Sequence, residues 1–248
     1  MISVLLIGRG SSQGFPGKNV YPVLNKPLMI YPLTAALNST LVENLYVSTD
    51  SDEIKRIARE AGALIIDRPP HLCTSQALGE DVFAHGYQEI KKLNPGKEIE
   101  LMVLLFCNAP MVTPELIEEG IKVLRDHREY DSAVSVSKYN MWSPLRARKI
   151  EEDGLLHPFI PFEIFDGINK LSCDRDSQGD VWFADMGVSV VRPRCLENLK
   201  EGLLPQRWMG KKIYPLKQWG GLDVDYEWQI PQAAFWLQKN GLKKKKNG

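Results

Sequence analysis

Ile2-Ser3-Val4-Leu5-Leu6-Ile7 runs directly into Gly8-Arg9-Gly10-Ser11-Ser12-Gln13-Gly14-Phe15-Pro16-Gly17-Lys18-Asn19. Residues 3–7 read as a strand, and the glycines that follow let a backbone approach a ligand closely, because no Cβ intervenes. A dinucleotide fingerprint needs its third glycine at 13 and a helix straight after, but here that glycine comes at 14 and Pro16 and Pro22 forbid an immediate helix. A Walker loop needs Ser or Thr after Gly-Lys, and Lys18 is followed by Asn19. What remains is a long glycine-rich excursion at the end of a strand, carrying two cations, Arg9 and Lys18. Such a loop suits a triphosphate, since fixed cations stabilise charge that grows on a transferring phosphoryl and its leaving group. The alternative is a pair of ordinary surface cations on a turn.

Outward from the loop, short β-branched runs alternate with segments of helical period, which predicts an α/β fold: a mostly parallel, Rossmann-like sheet with helices on both faces. Strands are expected at 3–7, 45–48, 63–66, 101–106, 132–137 and 187–191. A helix over 52–61 is marked by the stripe Ile54, Ile57, Ala58, Ala61 with Asp52 and Glu53 at its N-terminus, and another over 114–124 is capped by Thr113. The alternation fails between 139 and 182, in a proline-, glycine- and charge-rich stretch that reads as an insertion or cover. One domain is expected over 1–242, with 243–248 as a flexible basic tail.

The 248 residues carry 31 Lys and Arg against 31 Asp and Glu, so no bulk charge points to nucleic acid or to a membrane surface. No basic leader opens the chain and no apolar run is long enough to span a bilayer, so a cytoplasmic protein is expected. Cys73, Cys107, Cys173 and Cys195 show neither zinc-ligand nor disulfide-framework spacing. The four histidines form no nucleophile pair, and His85 reads as a core or interface residue.

The loop Arg9-Gly10-Ser11-Ser12-Gln13-Gly14-Phe15-Pro16-Gly17-Lys18-Asn19 resembles the R-G-G-S-K-G-I-P-x-K-N signature of the acylneuraminate cytidylyltransferase family, which makes CMP-sialic acid and related CMP-sugars. Asn25-Lys26-Pro27-Leu28-Met29 is similar to that family's G-K-P-L-I turn, and Ser48-Thr49-Asp50-Ser51-Asp52-Glu53-Ile54 to its S-T-D-D-x-E-I. Arg68-Pro69-Pro70-His71-Leu72 resembles R-P-x-E-L, and Asp223-Val224-Asp225 the late D-I-D. The resemblance implies attack by a sugar's anomeric hydroxyl on the α-phosphate of CTP, with release of pyrophosphate. It implies Arg9 and Lys18 as the catalytic cations, and Gly8, Gly10, Ser11, Ser12, Gln13, Asn19, Arg68, Asn108 and Ala109 as further nucleotide contacts. It also implies magnesium on Asp223 and Asp225, and a homodimer whose exchanged segment lies near 139–182.

The metal assignment has a physical basis too. Magnesium takes one or two carboxylates with phosphates and waters, and alternate residues of an extended stretch share a face. The competing reading gives one of these aspartates to the cap of a helix starting near Tyr226.

Three departures bear on substrate. Leu104-Leu105-Phe106-Cys107-Asn108-Ala109-Pro110-Met111-Val112 stands where the family usually reads L-L-Q-P-T-S-P-L-R, and Gln13 replaces a lysine. Asp180 to Val188 has Met186 where the family strand N-G-A-I-Y has asparagine, with Asp185 beside it. Arg175, flanked by Asp174 and Asp176, and Asp185 are candidate acceptor contacts; the other reading of the triplet is a surface salt-bridge cluster. The rival activities are a related transferase using a phosphorylated acceptor or another nucleotide, a glycosyltransferase using Asp223-Val224-Asp225 as a DXD motif, and a nucleotide sensor without chemistry.

Overall fold

A computed structural model of the chain describes residues 1–11, 14–164 and 172–240. Its strands are β1 (Ile2–Ile7), β2 (Pro22–Val23), β3 (Lys26–Pro27), β4 (Asn44–Thr49), β5 (Leu64–Asp67), β6 (Leu101–Phe106), β7 (Ser132–Lys138), β8 (Arg148–Ile150), β9 (Leu156–Pro158), β10 (Trp182–Val191) and β11 (Ile213–Gln218). The α-helices are α1 (Ile30–Asn38), α2 (Asp52–Glu60), α3 (Gly79–Leu93), α4 (Pro114–Asp126), α5 (Pro193–Glu197) and α6 (Ile230–Asn240).

Seven strands form one sheet in the order β11-β7-β10-β6-β1-β4-β5, and only β10 runs against the rest. This is the mostly parallel α/β architecture expected. Successive side chains of β1 enter opposite layers: Ile2, Val4 and Leu6 pack with residues of α1, α2 and α4, and Leu5 and Ile7 with those of α3 and α5. Burial on both faces explains why β1 reads as a continuous apolar run rather than an alternating one.

Local signals set the helix starts. Ser51 accepts from the Ile54 N–H at 3.4 Å to open α2, and Thr113 accepts from the Leu116 N–H at 3.2 Å to open α4. A smaller third core joins Phe15 of the glycine-rich loop to Val23, Leu28, Val224 and α6 residues Ala233 and Trp236. That core ties the beginning of the chain to its end.

Two strands differ from expectation. β11 was unexpected because Pro215 interrupts it, but β11 is an edge strand paired only with β7, where a missing N–H costs nothing. β10 starts at Trp182 rather than 187, because its register shifts between Ala184 and Ser189, with Met186 at φ +58°, and pairing resumes on the far side. The described residues of the 139–181 stretch stay off the main sheet. They consist of 3-10 turns and the β8–β9 hairpin, and they expose Trp142, Ile150, Leu156 and Phe159.

Candidate active site

Parallel strands place their carboxyl ends, and the loops leaving them, on one edge of the sheet, where α/β folds bind ligands. The glycine-rich loop leaves β1 there. Its stem is fixed by backbone and by one arginine: the Gly8 N–H donates to the Ser48 carbonyl at 3.2 Å, and Arg68 Nη2 donates to the carbonyls of Gly8 and Ser48 at 3.2 and 2.7 Å. Burial pulls the pKa of Arg68 below the usual guanidinium value, opposed by the charge of Asp50. Asp50 in turn accepts the Gly10 N–H at 2.8 Å. Arg68 therefore holds the loop as well as facing the cleft beside it.

The two loop cations are anchored differently. Arg9 Nη1 donates to the Thr74 carbonyl at 3.0 Å, across the mouth of the cleft. Lys18 lies on a short 3-10 turn, and its Nζ forms an ion pair with the Asp225 carboxylate, 207 residues away. Asn19 is buried; its Nδ2 donates to the Arg9 carbonyl at 2.9 Å, while its Oδ1 meets no donor among the described residues.

The aspartate stretch is clasped by Asn108. Val224 donates its N–H to the Asn108 carbonyl at 2.8 Å, and Asn108 Nδ2 donates back to the Val224 carbonyl at 3.0 Å and reaches Asp225 Oδ1 at 3.4 Å. Gly14 seals the arrangement, since a Cβ there would lie 3.0 Å from the Asp225 carbonyl oxygen. Burial first, and the charge of Asp225 second, push the pKa of Asp223 up. A carboxylate so destabilised is stabilised by a cation.

Neither aspartate caps α6. The side chain of Gln229 accepts from the N–H groups of Asp225 and Tyr226 at 2.7 and 2.8 Å instead. Among the described residues no group of three or more His, Cys, Asp or Glu is arranged to hold a metal. Two hard carboxylates, with phosphate and water completing the shell, are a donor set that magnesium accepts.

Beside the loop lies a cleft of about 180 Å³, which Lys18, Arg68 and Asn108 line and Asp223 and Asp225 do not. Phe106, Val82, Leu72 and Ile7 give it an apolar wall, and Thr74 and Ser75, before α3, form its rim. Phe106 is held edge-on against Phe83, with ring centroids 5.2 Å apart. Asp50, Thr74 and Phe106 are site residues that motif reading did not assign. Asp50 had a signal in its place at the end of a strand, and Thr74 had none.

Other expected contacts lie elsewhere. Ala109 is fully buried in the turn after β6, its N–H donating to the Phe106 carbonyl at 3.2 Å, so it shapes the turn and does not line the cleft. Arg175 is exposed on the insertion, 3.7 Å from Asp176, in the surface cluster that was its competing reading. Asp185 is buried with both oxygens occupied by protein donors, so it is not presented to an acceptor. Ser11 is exposed on the loop, and Ser12 and Gln13 lie outside the described residues.

Residues 4–151 match the family model described as cytidylyltransferase. The chain is 24% identical over 234 residues to an N-acylneuraminate cytidylyltransferase of Oncorhynchus mykiss, covering 93% of this chain and 49% of that protein. It is 30% identical over 139 residues to the N-acylneuraminate cytidylyltransferase of Escherichia coli, covering 56% and 32%. The chain thus spans half or less of the length of these curated relatives. Among solved structures, a CMP-2-keto-3-deoxy-manno-octonic acid synthetase complexed with CTP shares the fold, with TM-score 0.67 at 14% identity over 97% of this chain and 99% of that one.

Proposed function

The chain belongs to the cytidylyltransferase family, and from that premise we propose that it couples CTP to a free sugar acid, releasing pyrophosphate and a CMP-sugar. The observation that carries this reading is the meeting of Lys18, which lines the cleft, with Asp225. It puts a phosphate-binding cation loop and a pair of hard-ligand carboxylates face to face, as a nucleoside triphosphate with its metal requires.

The cleft takes the nucleoside, against Phe106. Loop N–H groups and Asn19 orient the phosphates, and Arg9 and Lys18 stabilise the charge that accumulates on pyrophosphate as the bond to the α-phosphorus breaks. Asp223 and Asp225 would hold magnesium, which when bound neutralises phosphate oxygens. The acceptor hydroxyl attacks the α-phosphorus and gives up its proton to solvent as pyrophosphate leaves, and the sugar stays attached to CMP. The relatives named as acylneuraminate enzymes support a nonulosonate-like acceptor.

The exposed apolar residues of the insertion support a homodimer built through it. Four free cysteines suit a reducing, cytoplasmic setting. Among the described residues no helix is long and apolar enough to cross a membrane.

Phe106, in place of a polar residue, favours a second reading in which the same chemistry uses a different base. Pyrophosphate release measured with CTP, UTP, ATP and GTP against free and phosphorylated sugar acids separates the two. Turnover with CTP and a free keto-acid sugar is the expected result, and turnover only with a phosphorylated acceptor or another nucleotide refutes the first reading.

A further inference from the structure

Asp185 is an acidic side chain with 4% exposure and, among the described residues, no cation among its hydrogen-bond partners. Burying a carboxylate this way is costly unless its lone pairs are filled. Four donors fill them: Ser135 Oγ, Ser137 Oγ at 2.7 Å, Gln218 Nε2 at 2.8 Å and the Gly187 N–H at 3.1 Å. They come from β7, β11 and the irregular part of β10, so the carboxylate joins three strands.

Both serines pass the interaction on. Ser135 Oγ accepts the Val188 N–H at 2.8 Å, which stays within β10, whereas Ser137 Oγ accepts the Gly221 N–H at 2.9 Å. The Gly221 carbonyl accepts from Tyr139 Oη at 2.9 Å. A Cβ on Gly221 would lie 2.2 Å from Asp185 Oδ2, so the carboxylate fits only beneath a glycine. Two residues further on stands Asp223, and Val224 is gripped by Asn108.

An ionised carboxylate can only accept hydrogen bonds. It therefore commits the proton of Ser137 to itself and leaves a serine lone pair for Gly221. We infer that Asp185 is a positioning residue for the Asp223–Asp225 pair, acting through Ser137 and Gly221. The inference rests on the reading that this pair holds the metal.

The test uses the full chain, Mn²⁺ as a spectroscopic probe and variants Asp185→Asn, Ser137→Ala, Ser135→Ala and Asp223→Asn. Free and bound Mn²⁺ are measured by electron paramagnetic resonance, with and without CTP, alongside thermal melting. Asp223→Asn should weaken Mn²⁺ binding most. Asp185→Asn and Ser137→Ala should raise the Mn²⁺ dissociation constant about tenfold or more, the range seen when groups behind a metal ligand are removed. Ser135→Ala, which cuts an equally buried bond to Asp185 that does not lead to Gly221, should lower the melting temperature and leave Mn²⁺ affinity within about twofold of wild type.

Wild-type Mn²⁺ affinity in Ser137→Ala, or an equal loss in Ser135→Ala, overturns the positioning role, and Ser137→Ala decides alone if Asp185→Asn does not fold. Wild-type affinity in Asp223→Asn instead overturns the metal reading itself, so the two failures are distinct.

Discussion

Lys18→Ala removes the cation that, among the described residues, touches both halves of the site. At about 4 Å from the reacting phosphate, in a medium of effective dielectric about 20, a unit charge is worth roughly 4 kcal/mol. Against that stands the ion pair with Asp225, which must open for the lysine to turn to phosphate. The lysine side chain is 15% exposed and the aspartate 52%, so the pair is largely solvated on one side and worth at most about 1 kcal/mol. The difference, about 3 kcal/mol, is a loss of about 150-fold in turnover.

The same substitution has the opposite sign on metal binding without nucleotide. On the proposed metal assignment, an ion in the wild type competes with Lys18 for the Asp225 carboxylate, and in the variant it does not. Pyrophosphate-release kinetics and a Mn²⁺ titration of the nucleotide-free protein give both numbers: turnover should fall about a hundredfold or more while Mn²⁺ binds more tightly. Near-normal turnover would refute the cation's role, and unchanged Mn²⁺ affinity would refute the ion pair.

Phe106→Ala removes the apolar wall of the cleft and should raise the nucleotide KM about tenfold with kcat within about twofold, the pattern of lost ground-state binding; an unchanged KM places the base elsewhere. Ile150 and Leu156 face each other across the β8–β9 hairpin at 74% and 70% exposure, so Ile150→Asp should weaken self-association at least tenfold in sedimentation equilibrium, and an unaltered distribution refutes assembly through this hairpin. Asp131 tests stability against pH. Burial acts to raise its pKa, but the N–H groups of Lys212 and Lys211 and the Arg194 guanidinium outweigh it and hold the pKa below 3.8. A depressed carboxylate contributes its stability in full above the unfolded value and loses it as pH falls through the folded one. Asp131→Asn should therefore cost about 2 kcal/mol at neutral pH in urea unfolding, with the gap from wild type closing below pH 3.8; a gap independent of pH would contradict the charge as its source.

What was legible in the sequence was local. β6 is found over the expected 101–106, and Thr113 caps α4, because a buried apolar run and a capping hydroxyl act within a few residues of themselves. α1 escaped the helical pattern because Tyr31, Pro32, Leu33, Ala35 and Ala36 are all buried, so it has little polar face to mark its period. β11 escaped because its proline is tolerable only at an edge, and edge position is a property of the assembled sheet.

The site divides in the same way. The loop and the aspartates could be singled out separately, each by the spacing of a few residues, but their juxtaposition is made by contacts such as Lys18 with Asp225 and Asn108 with Val224, more than a hundred positions apart. Those contacts matter because the two halves carry opposite charge. Without ligand they neutralise each other, and Lys18 occupies the oxygen a metal would use. A triphosphate alone would draw Lys18 away and leave Asp223 and Asp225 facing further negative charge, whereas a metal alone would have to expel the lysine with nothing to receive it. Bound together, phosphate takes the cation and metal takes the carboxylates, so each ligand removes the obstacle to the other. On the proposed assignment of the metal to Asp223 and Asp225, the ion pair would therefore make nucleotide and metal binding mutually reinforcing, a thermodynamic coupling that is reciprocal by necessity.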